Sequence, residues 1–424
     1  MSPSKHRALR PRFRSRIPLA LCALLGALLF ATSAAAQTVT LDLQSFYRKD
    51  LRALAMGNAF GPIARGENAL LYNPAGLVQY NFDIKVEGTI AAEGEAGSFA
   101  TDTFDLIGGG ASPTDVQTYL SKYLGTSQYY RVQTFANVVA NLAQYNVGFG
   151  VGKLSQTRYG FSFLDDGSTA GSFDLTDHLQ LDEQSLDLTV AAFAFQMLEG
   201  KLLMGLTLKN FSFDDKTASD TFGTIITTGD IELTTSGASY SGNGYDIGIL
   251  YRVDNLFGFS SLAAALRPQW SLVANNVGGI TLQQSGFATY DVPASYDLGF
   301  AVNPELPWSP VHLLFAVQAE DVTGALPVSE EVPPGSGTIV NHDRSTTQRL
   351  HYGAEVGFWE TSTGNNIINL RAGKNRGYNT TGFELNLFSG LRIVYTRYQD
   401  DFGWDGQTEK HTFQAAQVTL GFAF

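Results

Sequence analysis

The chain closes on Gln414-Ala-Ala-Gln-Val418-Thr-Leu420-Gly-Phe422-Ala-Phe424. Val418, Leu420, Phe422 and Phe424 fall on one face of an extended backbone, while Gln417, Thr419, Gly421 and Ala423 fall on the other. A period of two marks a β-strand, because successive side chains point to opposite sides of the pleat. An ordinary edge or sandwich strand also alternates. A final strand with a wholly apolar face, however, has nothing after it to cover that face. The pattern is accounted for if the face meets lipid.

The same alternation recurs along the chain. Fourteen segments carry it, approximately 82–94, 131–143, 146–161, 183–197, 202–214, 243–253, 263–277, 293–303, 311–321, 347–359, 365–374, 381–388, 391–400 and 413–424. One face is apolar and the other is Gly, Ala, polar or singly charged. A soluble sandwich should show mostly Lys, Thr, Glu and Ser on its outer face; the pattern here suits a lumen better. Most gaps after odd-numbered segments are long and polar (95–130, 162–182, 215–242, 278–292, 322–346, 401–412), and most of the others are short. Short periplasmic turns and long external loops are the outer-membrane pattern. The reading is therefore an all-β, antiparallel, fourteen-stranded transmembrane barrel over 82–424. Trp308 and Trp359 sit at the short-turn end, where an aromatic girdle belongs. The tail resembles the C-terminal assembly signal of bacterial outer-membrane barrels, with Phe422 and Phe424 as the signal residues. That implies the barrel-assembly machinery, outer-membrane lipid and lipopolysaccharide as partners.

The N-terminus agrees with export from a Gram-negative cell. Lys5, Arg7, Arg10, Arg12, Arg14 and Arg16 precede an apolar run over 18–30, and Ala34-Ala35-Ala36 forms a small-residue cleavage site. Residues 1–36 are read as a signal peptide, cleaved near Ala36. The one cysteine, Cys22, lies within it, so the remainder has no disulfide and no thiol nucleophile. Glycine (44), Phe (29) and Tyr (18) are abundant, and charged residues make up only 16%. The net charge of −12 becomes more negative once the basic leader is removed, which argues against nucleic-acid binding.

Residues 37–81 precede the first strand. They contain Arg52-Ala-Leu-Ala-Met56-Gly57-Asn58-Ala-Phe60-Gly61 and, further on, Glu67-Asn68-Ala69-Leu70-Leu71-Tyr72-Asn73-Pro74-Ala75-Gly76-Leu77. This pair of motifs resembles the FadL/PorV superfamily of outer-membrane barrels. The middle departs from it, with Arg65-Gly66-Glu67 where many members carry two or three acidic residues. The resemblance implies a fourteen-stranded barrel. In the FadL branch it implies an N-terminal hatch in the lumen and passive uptake of long-chain fatty acids or other hydrophobic molecules. In the PorV branch it implies a secretion shuttle or anchor. Gly57, Phe60, Asn73, Pro74 and Gly76 are the candidate hatch residues. Asn73-Pro74 alternatively does no more than turn the chain into the first strand.

No enzyme motif stands out, and the histidines show no metal-ligand spacing, so neither metal nor cofactor is expected. Asp165-Asp166, Asp214-Asp215 and Asp400-Asp401 are placed at external strand ends, as solvated loop ends or weak divalent-cation sites. Ser112-Pro113-Thr114-Asp115 starts a helix that runs through Leu124 in the first long loop. His351, Glu355, Arg371, Glu384 and Arg392 should point into the lumen from four consecutive strands, as generic lumen packing or as a polar bed for a hatch or a substrate carboxylate. Gly148, Gly150 and Gly152 should face inward on the third strand. They either make room for a hatch or leave a channel or lateral opening beside it.

Overall fold

A computed structural model describes residues 39–40, 47, 50–78, 83–95, 118–119, 121–124, 127–164, 176–223, 236–254, 259–282, 290–304, 306, 309–326, 328–331, 339–342, 344–360, 366–387, 390–401 and 410–423. The expected signal peptide, Asp165-Asp166, Trp308, Phe424 and most of the 112–124 helix lie outside these residues. Of that helix, 118–119 and 121–123 are helical.

Fourteen strands close into an antiparallel barrel. In chain order they are β2 (Asp83–Glu95), β3 (Ser127–Leu142), β4 (Val147–Leu164), β5 (His178–Met197), β6 (Leu202–Thr221), β7 (Ser236–Arg252), β8 (Gln269–Asn275), β11 (Ser295–Val302), β12 (Val311–Ala319), β15 (Leu350–Glu360), β16 (Asn366–Asn375), β17 (Tyr378–Leu387), β18 (Leu391–Asp401) and β19 (Lys410–Ala423). β8 pairs directly with β11, and β19 pairs with β2 to close the ring. Three short strands form a separate sheet: β1 (Val39–Thr40), β9 (Ile280–Leu282) and β10 (Tyr290–Val292). β13 (Val328–Glu331) and β14 (Ile339–His342) make a hairpin.

The alternation in the sequence becomes an inside and an outside. On β5, Leu186, Leu188, Val190, Ala192 and Ala194 are buried, while Asp187, Thr189, Ala191 and Phe193 are exposed. Around the ring the outward positions include Ile90, Val151, Leu208, Leu370, Phe383, Leu420 and Phe422, all exposed. So large an apolar belt has no place on a water-facing surface and fits a bilayer. No described helix is long and apolar enough to cross a membrane. Arginine at Leu370, on the outer face of β16, should cost about 2–4 kcal/mol if that level is the bilayer midplane and about 0–1 near an interface. Urea titration of folding into lipid vesicles reads it; no change would remove β16 from the lipid-facing wall.

The wall is uneven. β3 to β7 run 16 to 20 residues, whereas β8 has 7 and β16 has 10. At about 3.3 Å per residue and about 45° of tilt, 20 residues rise about 45 Å, well beyond an apolar band about 25 Å tall. One consequence corrects the expected strand ends. Asp214 and Asp215 lie inside β6, opposite Ser185 and Gln184, because the ladder runs on to Thr221. Asp400 is close to the end of β18, opposite His411.

Two further expectations are revised. The segment read as a strand over 263–277 is divided: Ser260–Leu266 is a helix, and β8 starts only at Gln269. Arg267 ends the helix in the left-handed conformation (φ 45°), and Pro268 follows it. Of the segment read as an external loop over 278–292, the described residues 278–282 and 290–292 fold back inside. Ile280, Leu282 and Val292 are buried, the first two against β7, where a Cβ at Gly242 would come within 2.8 Å of Leu282. Trp359 stands exposed at the short-turn end of β15.

Candidate functional site

The site is the inward face of the barrel wall and the segment packed against it. Residues 50–78 are buried almost throughout, with only Arg65 exposed. Asp50 caps α1 (Leu51–Ala55), accepting from the backbone N–H groups of Arg52 and Ala53. Gly57 then turns the chain at φ 65°, a left-handed conformation that glycine adopts without a Cβ clash. It passes so close to the wall that a Cβ there would strike the carbonyl oxygens of Tyr352 and Lys374. Phe60 packs edge-on against Tyr72 at 5.2 Å. Asn73 is fully buried; its amide donates to the Gly61 carbonyl at 3.0 Å, and its side-chain oxygen caps the 3-10 turn Pro74–Leu77 by accepting from Ala75. Gly76 lies against the Ala64 carbonyl.

An irregular backbone at membrane depth requires partners for its polar groups. The wall supplies them through side chains. Thr396 donates to the Leu51 carbonyl at 2.9 Å and Thr380 to Ala55 at 3.2 Å. Gln417 accepts from Leu51 N–H at 3.2 Å, Gln318 accepts from Gly61 N–H at 2.8 Å, and Gln269 donates to Pro62 at 2.5 Å.

The lumen has two unlike sides. On β12 and β15 to β18 it is charged. Arg371 Nε lies 2.5 Å from Glu355 and its Nη2 lies 2.8 Å from Glu384. Arg52 of α1 approaches Glu355 at 3.4 Å. Arg392 pairs with Glu67 of the inner segment at 2.9 Å. His351 Nδ1 donates to the Gly57 carbonyl at 3.0 Å, and its Nε2 is 2.8 Å from Glu320. All five residues picked out from the sequence thus sit in one lumenal patch, and three of them, His351, Glu355 and Arg392, touch residues 50–78 directly. Arg52, Glu67 and Glu320 belong to the patch and were not picked out. Arg52 and Glu67 lie in the motif itself, yet which wall strand each meets depends on how the segment is docked.

On β4 to β7 the lumen is apolar. Leu154, Leu186, Leu188, Val190, Leu203, Phe211 and Phe213 point inward and form one core with Leu70 and Leu77 of the inner segment and Ile280 and Leu282 of the infolded loop. A buried cation interrupts it: Lys209, 2.6 Å from Asp246 and 3.2 Å from the Tyr47 hydroxyl. Gly148 and Gly150 face this core. A Cβ at Gly148 would lie 2.7 Å from the Leu77 carbonyl oxygen, and one at Gly150 would lie 2.7 Å from a Leu70 methyl. Gly152 is covered instead by the Phe135 ring of β3. The ladders on both sides of β4 are paired through all three glycines, so in this structure the wall is closed there. Among the described residues no group of His, Cys, Asp and Glu is arranged to hold a metal ion.

No family model matches the chain, and no curated protein does. Solved structures do. The chain is similar to outer-membrane barrels. One is a deletion mutant of the TodX monoaromatic hydrocarbon channel, at 15% identity and a TM-score of 0.47 over 90% of this chain and 99% of the other. Another is a FadL homologue of Pseudomonas aeruginosa, at 11% identity and a TM-score of 0.36, covering 93% and 99%. The translocator domain of the autotransporter NalP from Neisseria meningitidis also matches, at 8% identity and a TM-score of 0.32, covering 82% and 89%. Likenesses this distant carry no functional argument; the geometry of the lumen has to supply it.

Proposed function

We propose that this protein is an outer-membrane channel for apolar small molecules, with residues 37–81 as its hatch. The observation that carries the reading is the apolar side of the lumen. A general diffusion porin keeps a polar, water-filled interior. Here Leu154, Leu186, Leu188, Phe211 and Phe213 face inward at mid-wall, a surface suited to a hydrophobic cargo such as a long-chain fatty acid or an aromatic hydrocarbon. The hatch closes the direct aqueous route, and the tall wall of β3 to β7 carries the mouth clear of the bilayer.

The test is uptake of radiolabelled oleate and toluene by cells that lack their own channel for them. Expression of the chain should raise the initial rate several-fold over an empty vector at matched barrel levels. If it raises uptake of neither compound, the transport reading fails, and a secretion shuttle or anchor without small-molecule transport takes its place.

A further inference from the structure

Glu67 is the only acidic residue between Asp50 and Asp83, and it sits buried on the 3-10 turn Gly66–Leu70 of the hatch. Arg392 of β18 pairs with it at 2.9 Å. A second carboxyl reaches it from the wall. Glu87 of β2 stands opposite Gly421 of β19, which adds no side chain, and lies across that gap: a Cβ at Gly421 would be 2.9 Å from Glu87 Cγ and 3.1 Å from its Oε1. The Glu87 carboxyl is hydrogen-bonded to that of Glu67. Of the charged groups around the two, Lys85 lies on Glu87's own strand. Arg392 is shared, because it also faces Glu384 of β17 and Asp50 of the hatch, and Arg52 of α1 is a cation near it. The residues opposite Glu87 on β19 and β3, Gly421 and Asn137, do not titrate.

Two ionised carboxylates cannot hydrogen-bond to each other, because each only accepts. One proton makes the contact possible, and carboxyls sharing a site ionise one at a time. Glu87 Oε2 is shut off from water, so solvent does not separate the two groups. Arg392 decides where the proton sits: its guanidinium stabilises the Glu67 anion, so Glu87 carries the proton and donates. We infer that Glu87 and Glu67 share one proton in a clasp that holds the hatch to β2 and loosens as the pH rises. The clasp rests on the hatch of the proposed channel and adds its regulation. With the hatch undocked, both carboxyls meet water and ionise near the ordinary glutamate value of about 4.3. Docking therefore takes up one proton at higher pH, for as long as the clasp holds it. Over that range docking weakens by up to about tenfold per pH unit. Once the proton is gone, Arg392 alone is left between two anions.

Hydrogen–deuterium exchange on the refolded barrel in detergent micelles, from about pH 6 to about pH 9 and corrected for the intrinsic exchange rate, reads the clasp as local opening. The reporters are the Leu71 and Tyr72 amides, which donate to the Asn68 carbonyl on the same turn. In the unaltered barrel their protection should fall several-fold, and at most about tenfold, per pH unit, while amides of β5 stay level. Glu87→Gln keeps the shape and donates to Glu67 at every pH, so Leu71 and Tyr72 should stay protected across the range. Level protection in the unaltered barrel overturns the clasp. So does a fall that persists in Glu87→Gln, and so does one that β5 shares, which is loss of the barrel instead. Should the variant not fold, the unaltered barrel still decides: only a fall confined to the hatch sustains the clasp. The two readings fail separately. Uptake of oleate or toluene with pH-independent protection sinks the clasp alone, and a pH-dependent clasp with uptake of neither sinks the channel alone.

Discussion

Replacing Arg371 with Met is expected to destabilise the barrel by about 3–5 kcal/mol, the usual cost of leaving buried charges without their partner. The side chain is fully buried and holds two carboxylates apart, Glu355 through Nε and Glu384 through Nη2. Taking the guanidinium away strands both. Arg52 then faces Glu355 from 3.4 Å, while Glu384 keeps the neutral amides of Asn369 and Asn386 as hydrogen-bond donors, with Arg52 and Arg392 near but not paired to it. Heat-modifiable mobility across a urea series should show the midpoint fall. The triple variant Arg371→Met, Glu355→Gln, Glu384→Gln should recover most of the loss, because no unpaired charge stays behind. If the single variant unfolds at the midpoint of the unaltered chain, the charged side of the lumen is solvated rather than held by buried ion pairs.

How much of this could be read in the sequence depended on whether a feature is local. Strand number and order were legible because a strand between lipid and lumen writes its period of two into every residue pair, as Leu186 to Ala194 of β5 do. The inward set His351, Glu355, Arg371, Glu384 and Arg392 followed from the same parity. Parity says which face a residue takes but not what approaches that face from inside, so Arg52 and Glu67 were not joined to the set. The infolded loop was illegible for a similar reason. Ile280, Leu282 and Val292 are too few and too scattered to mark a strand, and what buries the first two is the bare inner face of β7 at Gly242 and Gly244. The helix Ser260–Leu266 was merged with β8 because an uninterrupted Ala-Leu run has no period of its own; Arg267-Pro268 was the break to weigh.

Gly150→Trp should open the barrel rather than merely block it. From the sequence alone, a bulky side chain at this inward glycine would fill a channel beside the hatch. The structure gives that space to Leu70 and Leu77: even a Cβ at Gly150 lies 2.7 Å from one Leu70 methyl and 3.3 Å from a Leu77 methyl. Something must move. β4 is fixed by continuous ladders to β3 and β5 through this point, whereas the turns Gly66–Leu70 and Pro74–Leu77 are single 3-10 elements with no strand partner. Overpacking of one extra group commonly costs about 1–3 kcal/mol, and an indole exceeds that, enough to dislodge the hatch from the apolar side while Arg392–Glu67 and His351–Gly57 still tether it on the charged side. Single barrels in a planar bilayer should change from near-silent to conducting, and cells should become sensitive to a large hydrophilic antibiotic such as vancomycin. Gly88→Trp, where a side chain meets nothing within 4 Å, is the control and should stay silent. A folded Gly150→Trp barrel as silent as that control would mean that the hatch does not seal the lumen through Leu70 and Leu77, and the closure would have to be sought in the infolded loop over Ile280 and Leu282.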